Sequence, residues 1–208
     1  MYLSKLVFDH KYPSVMKDVA DVNGMHKRIM RAFPDMESDE ARKELGILFR
    51  LEQDNGKVVA YVQSKVEPDW SELEPRSFLE PPVHKPISEA IGSITNGRTL
   101  AFRLRANPTK RIFSGKKNPK KVGLLKEEEQ LEWLNRKATD GGFEVLSVRV
   151  VREGSLRTRD GKTFESALFD GVLKATDSER FLKAVESGIG VSRAYGFGLL
   201  SLAPFRGA

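Results

Sequence analysis

The stretch Thr176-Asp-Ser-Glu-Arg-Phe-Leu-Lys-Ala-Val-Glu-Ser-Gly188-Ile-Gly-Val-Ser-Arg-Ala-Tyr-Gly-Phe-Gly198-Leu-Leu-Ser-Leu-Ala-Pro204 decides how the chain is read. Thr176 and Glu179 have the spacing of a capping box, which opens a helix through Phe181, Leu182 and Val185 that Gly188 closes. Glycines at 188, 190, 196 and 198 demand backbone at positive φ or something pressed against the main chain. Residues 199–203 then read as an apolar strand. Helix, loop, strand is the reverse of a nucleotide-binding turn, which runs from strand to helix. Arg193 also occupies the third glycine position of the dinucleotide fingerprint, and no Gly-Lys-Ser/Thr is present. Two readings of the loop stay open on these residues. One is a helix cap followed by a bulged strand; the other is a cradle whose amide N–H groups and Arg193 take a phosphate.

Working outward, residues 99–106 alternate Leu100, Phe102 and Leu104 against Ala101, Arg103 and Arg105, the pattern of a half-buried strand. Residues 124–138 carry helical spacing, and 143–151 and 164–175 read as strands. The second half therefore has the order β-α-β-β-α-β, which is ferredoxin-like. The first half begins the same way. Residues 2–8 read as a strand, and 15–33 as one helix with Val19, Val22, Met25, Ile29 and Phe33 inward and Pro34 ending it. Strands 46–53 and 57–66 flank the hairpin signal Asp54-Asn-Gly56. Prolines at 68, 75, 81, 82 and 86 leave room for only a short element in 67–97. The expected fold is α+β, two tandem ferredoxin-like domains over residues 1–93 and 94–208.

Composition narrows the function classes. The chain has no cysteine, so it holds no disulfide framework or thiolate site. Its histidines, at 10, 26 and 84, lack helical ligand spacing, which argues against zinc. No apolar run approaches a membrane span and no signal peptide is visible, so a soluble, cytoplasmic protein is expected. The net charge of +6 is unevenly placed. Residues 98–121 hold nine Lys/Arg and no acid, leaving −3 for the rest, 6 − 9 = −3. Such a concentration points to a polyanion.

Six blocks in order carry a resemblance. They are Met1-Tyr-Leu-Ser-Lys-Leu, the helical His26, Phe102-Arg-Leu-Arg-Ala-Asn-Pro-Thr-Lys110, Glu129-Gln-Leu-Glu-Trp-Leu-Asn-Arg-Lys137, Leu168-Phe-Asp-Gly-Val-Leu173 and 188–204. Together they resemble the CasE family, the CRISPR repeat-processing endoribonucleases of type I-E Cascade systems within the RAMP superfamily. The resemblance implies a metal-independent prokaryotic enzyme without a cofactor. It would bind the hairpin of a CRISPR repeat, cut precursor crRNA at the stem base and leave 2′,3′-cyclic phosphate and 5′-hydroxyl ends. It would then stay on the mature crRNA with the other Cascade subunits.

The resemblance places the family's catalytic histidine at His26, and Lys27 and Arg31 match basic positions that would stabilise charge on the phosphorus. Arg28 is expected on a flanking phosphate. Where the family carries a tyrosine three residues before the histidine, this chain has Asn23, which hydrogen-bonds but cannot act as a base. Tyr195 is a distant substitute. RNA contacts are expected from Arg103, Arg105, Lys110, Arg111, Lys116, Lys117, Lys120 and Lys121, the last six in an irregular segment. Further contacts are expected from Arg157, Arg159 and Lys162 at a second turn, and from Gly188, Gly190, Ser192 and Arg193 in the loop. The main alternative is a slow or non-catalytic RNA-binding subunit of the same superfamily. A nucleotide-using enzyme is a third reading, which the failed fingerprints disfavour.

Overall fold

The computed structural model describes residues 1–36, 40–54, 57–113, 120–158 and 161–205. The chain runs β1 (Tyr2–Phe8), α1 (Pro13–Ala20), α2 (Val22–Met30), α3 (Ala41–Glu44), β2 (Leu48–Asp54), β3 (Lys57–Ser64), β4 (Phe78–Pro86) and α4 (Ser88–Gly92). The second half continues β5 (Thr99–Ala106), β6 (Thr109–Ile112), β7 (Lys120–Gly123), α5 (Glu127–Asp140), β8 (Phe143–Arg157), β9 (Thr163–Ala175), α6 (Ser178–Ser187) and β10 (Leu200–Pro204).

Each half builds a four-stranded antiparallel sheet. The orders are β4-β1-β3-β2 and β10-β5-β9-β8, the same arrangement twice when strands are numbered within each half. The fold is two ferredoxin-like units in tandem. Two separate apolar clusters follow from the strand alternation. One gathers Leu6, Phe8, Met25, Ile29, Phe49 and Val62. The other gathers Phe102, Leu104, Trp133, Phe169, Phe181 and Leu200. In β5 every second residue from Leu100 to Ala106 is buried, as its alternation requires.

Four sequence expectations are revised. The long first helix is two helices. Asp21 adopts an extended conformation, φ −117° and ψ 113°, and its carboxylate accepts the Asn23 N–H at 3.1 Å to start α2 afresh. The hydrophobic spacing runs through both helices, so periodicity alone hides this break. The proline-rich segment contains a nine-residue strand, β4. It lies at the sheet edge, and its pairing with β1 slips around Pro81 and Pro82, where missing N–H donors are tolerated. The cap of α6 is Asp177, which accepts the Arg180 N–H at 3.0 Å, rather than Thr176. The basic segment after β5 is partly regular, since β6 and β7 pair as a hairpin. The turn residues Asn55 and Gly56 lie outside the described residues.

Polar ties cross between the two units. The Gln63 amide donates to the Val185 carbonyl at 2.9 Å in a buried position. Arg50, only 3% exposed, donates to Glu52 at 2.8 Å and to the Ser201 hydroxyl at 2.7 Å. Arg103 reaches Glu52 at 3.2 Å and Asp170 at 2.6 and 2.9 Å. Among the described residues no helix is long and apolar enough to cross a membrane.

Candidate functional site

Helix α2 places His26 at the rim of the first core. Met25 and Ile29 are buried beneath the helix, and His26, one residue round from Met25, is half-buried. Its ring lies nearly parallel to that of Phe49 on β2, with centroids 6.5 Å apart and planes 13° apart. Nδ1 is buried and has no hydrogen-bond partner among the described residues. Burial first, then the Arg42 and Lys27 charges, push its pKa below the usual 6.5. The ring is therefore neutral at pH 7, with a lone pair free to accept a proton.

The glycine loop supplies the facing wall. All four of its glycines have positive φ, and Ser192 joins them at 64°. Gly190 and Gly196 show why side chains are excluded. A Cβ on Gly190 would come within 2.9 Å of the Trp133 ring, and one on Gly196 within 3.1 Å of Phe49. Asn107 at the end of β5 donates to Ser192 Oγ at 3.0 Å, which pins the strained residue. A 3₁₀ turn, Arg193–Tyr195, follows and packs against α2 and β2. The Phe164 ring lies 4.6 Å from the Tyr195 ring, tilted by 33°. The loop is thus the seam between the units, and it carries Arg193 to the His26 side. Burial lowers the Arg193 pKa, and its Nε is buried without a partner among the described residues.

Of the expected catalytic residues, Lys27 is exposed beside His26 and contributes to its field. Asn23 lies one turn earlier on α2, half-buried. Arg31 ends the helix and donates to the Glu72 carbonyl at 3.0 Å, turning toward the 70–72 turn. Arg28 is 3% exposed and holds Asp18 at 2.7 Å and Ser14 at 2.7 Å, with Phe8 under its guanidinium, so it ties α2 to α1. Arg103 is closed by two carboxylates, and hydrogen bonding to Asp170 raises its pKa further. Arg105 is bonded to Glu153 at 2.6 Å and lies over Phe197. These three guanidiniums already have partners.

The β6–β7 hairpin puts cations opposite one another. Arg111 faces Lys121 in the register, a pairing that repels in an isolated protein. Lys110 holds Glu129 at 2.6 Å. With α5 and α6 the hairpin walls a groove of about 790 Å³ lined by Lys110, Arg111, Lys121, Arg136, Lys137, Arg180, Lys183 and Arg193. Its one acid, Asp140, is bonded to Lys137 at 3.1 Å. Lys120 is exposed at the start of β7. Arg157 and Lys162 are exposed at the far end of the β8–β9 hairpin. Lys116, Lys117 and Arg159 lie outside the described residues. Arg136, Lys137, Arg180 and Lys183 were not singled out from sequence. Their signal was a row of cations on the outer faces of two predicted helices, which reads as ordinary solvated surface.

A neutral imidazole in the field of Arg42 and Lys27, on a helix that packs against the turn carrying Arg193, suits proton transfer at a phosphate. Comparison with known proteins identifies the relatives of the chain. A family model described as "CRISPR associated protein" matches residues 1–204. The chain is 36% identical to the CRISPR-associated endoribonuclease Cse3 of Thermus thermophilus, covering 98% of this chain and 100% of that protein. It is 30% identical to the CRISPR system Cascade subunit CasE of Escherichia coli, again over 98% and 100%. A solved structure of CRISPR endoribonuclease Cse3 bound to a 19-nucleotide RNA superposes with a TM-score of 0.83 at 34% identity, over 98% of this chain and 100% of that one.

Proposed function

The chain belongs to the CRISPR-associated protein family, and from that premise we propose that it is the endoribonuclease that cuts CRISPR repeat hairpins in precursor crRNA. The observation that carries the proposal is His26, held neutral by burial and the Arg42 and Lys27 charges on a helix that packs against the turn carrying Arg193, a residue of the basic groove. The substrate's own 2′-hydroxyl is the nucleophile, so the chemistry asks the protein for proton transfer and charge stabilisation. The 2′-oxygen bonds to phosphorus as the bond from phosphorus to the 5′-oxygen breaks. A 2′,3′-cyclic phosphate and a 5′-hydroxyl result. His26 serves as the acid–base group, and the phosphate's arrival offsets the Arg42 and Lys27 fields, raising the imidazole's proton affinity for its turn as acid. Lys27 and Arg193 stabilise charge on the phosphorus.

The β6–β7 hairpin, α5 and α6 hold the stem by its phosphates, Lys110, Arg111, Lys120 and Lys121 among them. The units behind this division are residues 1–93 and 94–208. Met1 to Pro86 completes the first sheet, and β5 opens the second at Thr99. The product stays bound in a prokaryotic cytoplasm, and the protein serves as a Cascade subunit, as the name of its E. coli relative indicates for that protein. A labelled cognate hairpin incubated in EDTA tests this: a single cut at the stem base with a cyclic-phosphate end is expected. Asn23 favours a second reading, an RNA-binding subunit that cuts slowly or not at all, because its amide cannot accept a proton as a base. Tight binding with no product would select it.

A further inference from the structure

Arg42 stands on the four-residue helix α3, amid a charged run that gives no sequence hint of a role. The structure brings it to His26, where it is the largest of the charges acting on the imidazole. Its Nη1–H donates to the Ile47 carbonyl at 2.9 Å, which fixes the plane of the guanidinium fork. Arg193 arrives from the other unit, near enough to depress the Arg42 pKa second only to burial. Among the described residues neither guanidinium is hydrogen-bonded to a carboxylate. Glu40 is close enough to act on Arg42 electrostatically, yet its carboxylate is bonded to Lys43 at 2.6 Å.

Two half-buried guanidiniums on one cleft, neither with a bonded carboxylate among the described residues, repel, and an anion between them removes the repulsion. They share a cleft of about 440 Å³ in which Lys43, Lys65 and Lys183 also stand, with Glu40, Glu44 and Glu186 on its walls, so cations outnumber carboxylates five to three. Lys183, Ser187 and Arg193 line this cleft and also the basic groove, so the two are continuous. Arg193 lines both, and Arg42 lines the cleft alone.

We propose that Arg42 and Arg193 form a clamp, one arm from each unit, on the RNA phosphate beside His26, which makes Arg42 a further catalytic residue. The inference rests on the endoribonuclease reading. It adds that catalysis needs both units in register, because one phosphate is gripped by side chains 151 positions apart, 193 − 42.

The test pairs protein and substrate changes. Arg42→Ala is expected to slow single-turnover cleavage of the cognate hairpin about 100-fold, the usual scale for losing one transition-state donor. Arg42→Lys, which keeps the charge but loses the fork, should fall between it and wild type. On an uncleavable 2′-deoxy hairpin, replacing the scissile phosphate by a neutral methylphosphonate should weaken wild-type binding about tenfold and Arg42→Ala binding by a smaller factor, because Arg193 and Lys27 still meet the phosphate. Wild-type cleavage by Arg42→Ala, or an equal methylphosphonate penalty in both proteins, would overturn the clamp while leaving the endoribonuclease reading intact. If Arg42→Ala does not fold, Arg42→Lys decides by the same two measurements. If wild type neither binds nor cuts the hairpin, the functional reading has failed, and inorganic phosphate then probes the clamp alone. Shifts of both arginine Nε–H resonances on adding phosphate support it, and their absence refutes it.

Discussion

Two sets of arginines meet at the seam between the sheets, and they are built differently. Arg50 and Arg103 are closed. Glu52 sits between them, Asp170 takes the other side of Arg103, and Ser201 takes the remaining arm of Arg50. Arg42 and Arg193 are open: their hydrogen bonding reaches one carbonyl and no carboxylate among the described residues. Residue type and burial alone do not separate the sets. What separates them is whether a carboxylate completes the fork. A completed guanidinium joins two units; an uncompleted one next to a neutral imidazole waits for a phosphate. The expectation that Arg103 and Arg105 meet RNA falls on the closed side, with Arg28 beside them.

This contrast separates loss of function from loss of stability. The largest effect expected is from His26→Ala, in the open cluster. Single-turnover cleavage should fall about 10³-fold, within the usual range for a proton-transfer group, with the unfolding midpoint in urea little changed. In the closed set Glu52→Gln should do the reverse. It leaves the buried Arg50 without its carboxylate, at a cost of about 3 kcal/mol in urea unfolding, while the protein that remains folded cuts normally. A similar rate deficit in both variants would erase the distinction.

Smaller effects sharpen it. Arg111→Ala removes one of two facing cations on the β6–β7 hairpin. Hairpin affinity should drop, and the slope of log K against log salt should shallow by about 1, with no change in the bound complex's cleavage rate. The smallest effect concerns pH. The imidazole's pKa is lower folded than unfolded, so below the usual 6.5 the unfolded chain binds more protons. Stability from neutral His26 is complete above 6.5 and declines as pH falls toward the folded value. His26→Asn should therefore flatten the fall in unfolding free energy between pH 7 and 5, compared with wild type.

Much of the fold was legible in sequence because its signals are local. The β5 alternation, the Gly188 stop after α6 and the individual strands of the second half need only neighbours along the chain. The break at Asp21 was hidden because apolar spacing continues across it. Strand β4 was hidden because its prolines read as loop until the sheet edge accommodates them. In the site, His26 was found through resemblance, and composition would have passed it over as one helical histidine among many. Arg42 was not found at all, since its run of alternating charge looks like any short solvated helix.

Sequence alone was enough for the main helices and strands of the second half, the doubling of the fold, the positive-φ loop and the place of the basic segment. Each of these follows from backbone preference or from the period of apolar residues. Which arginines hold a carboxylate among the described residues was settled by tertiary packing. The partners that close Arg50 and Arg103 include Ser201 and Asp170, and the neighbour that Arg42 lacks a carboxylate to share with is Arg193. Those groups lie far apart in the chain. Whether a cation is spoken for depends on distances of a few ångströms that only the packing of two sheets across one glycine loop sets.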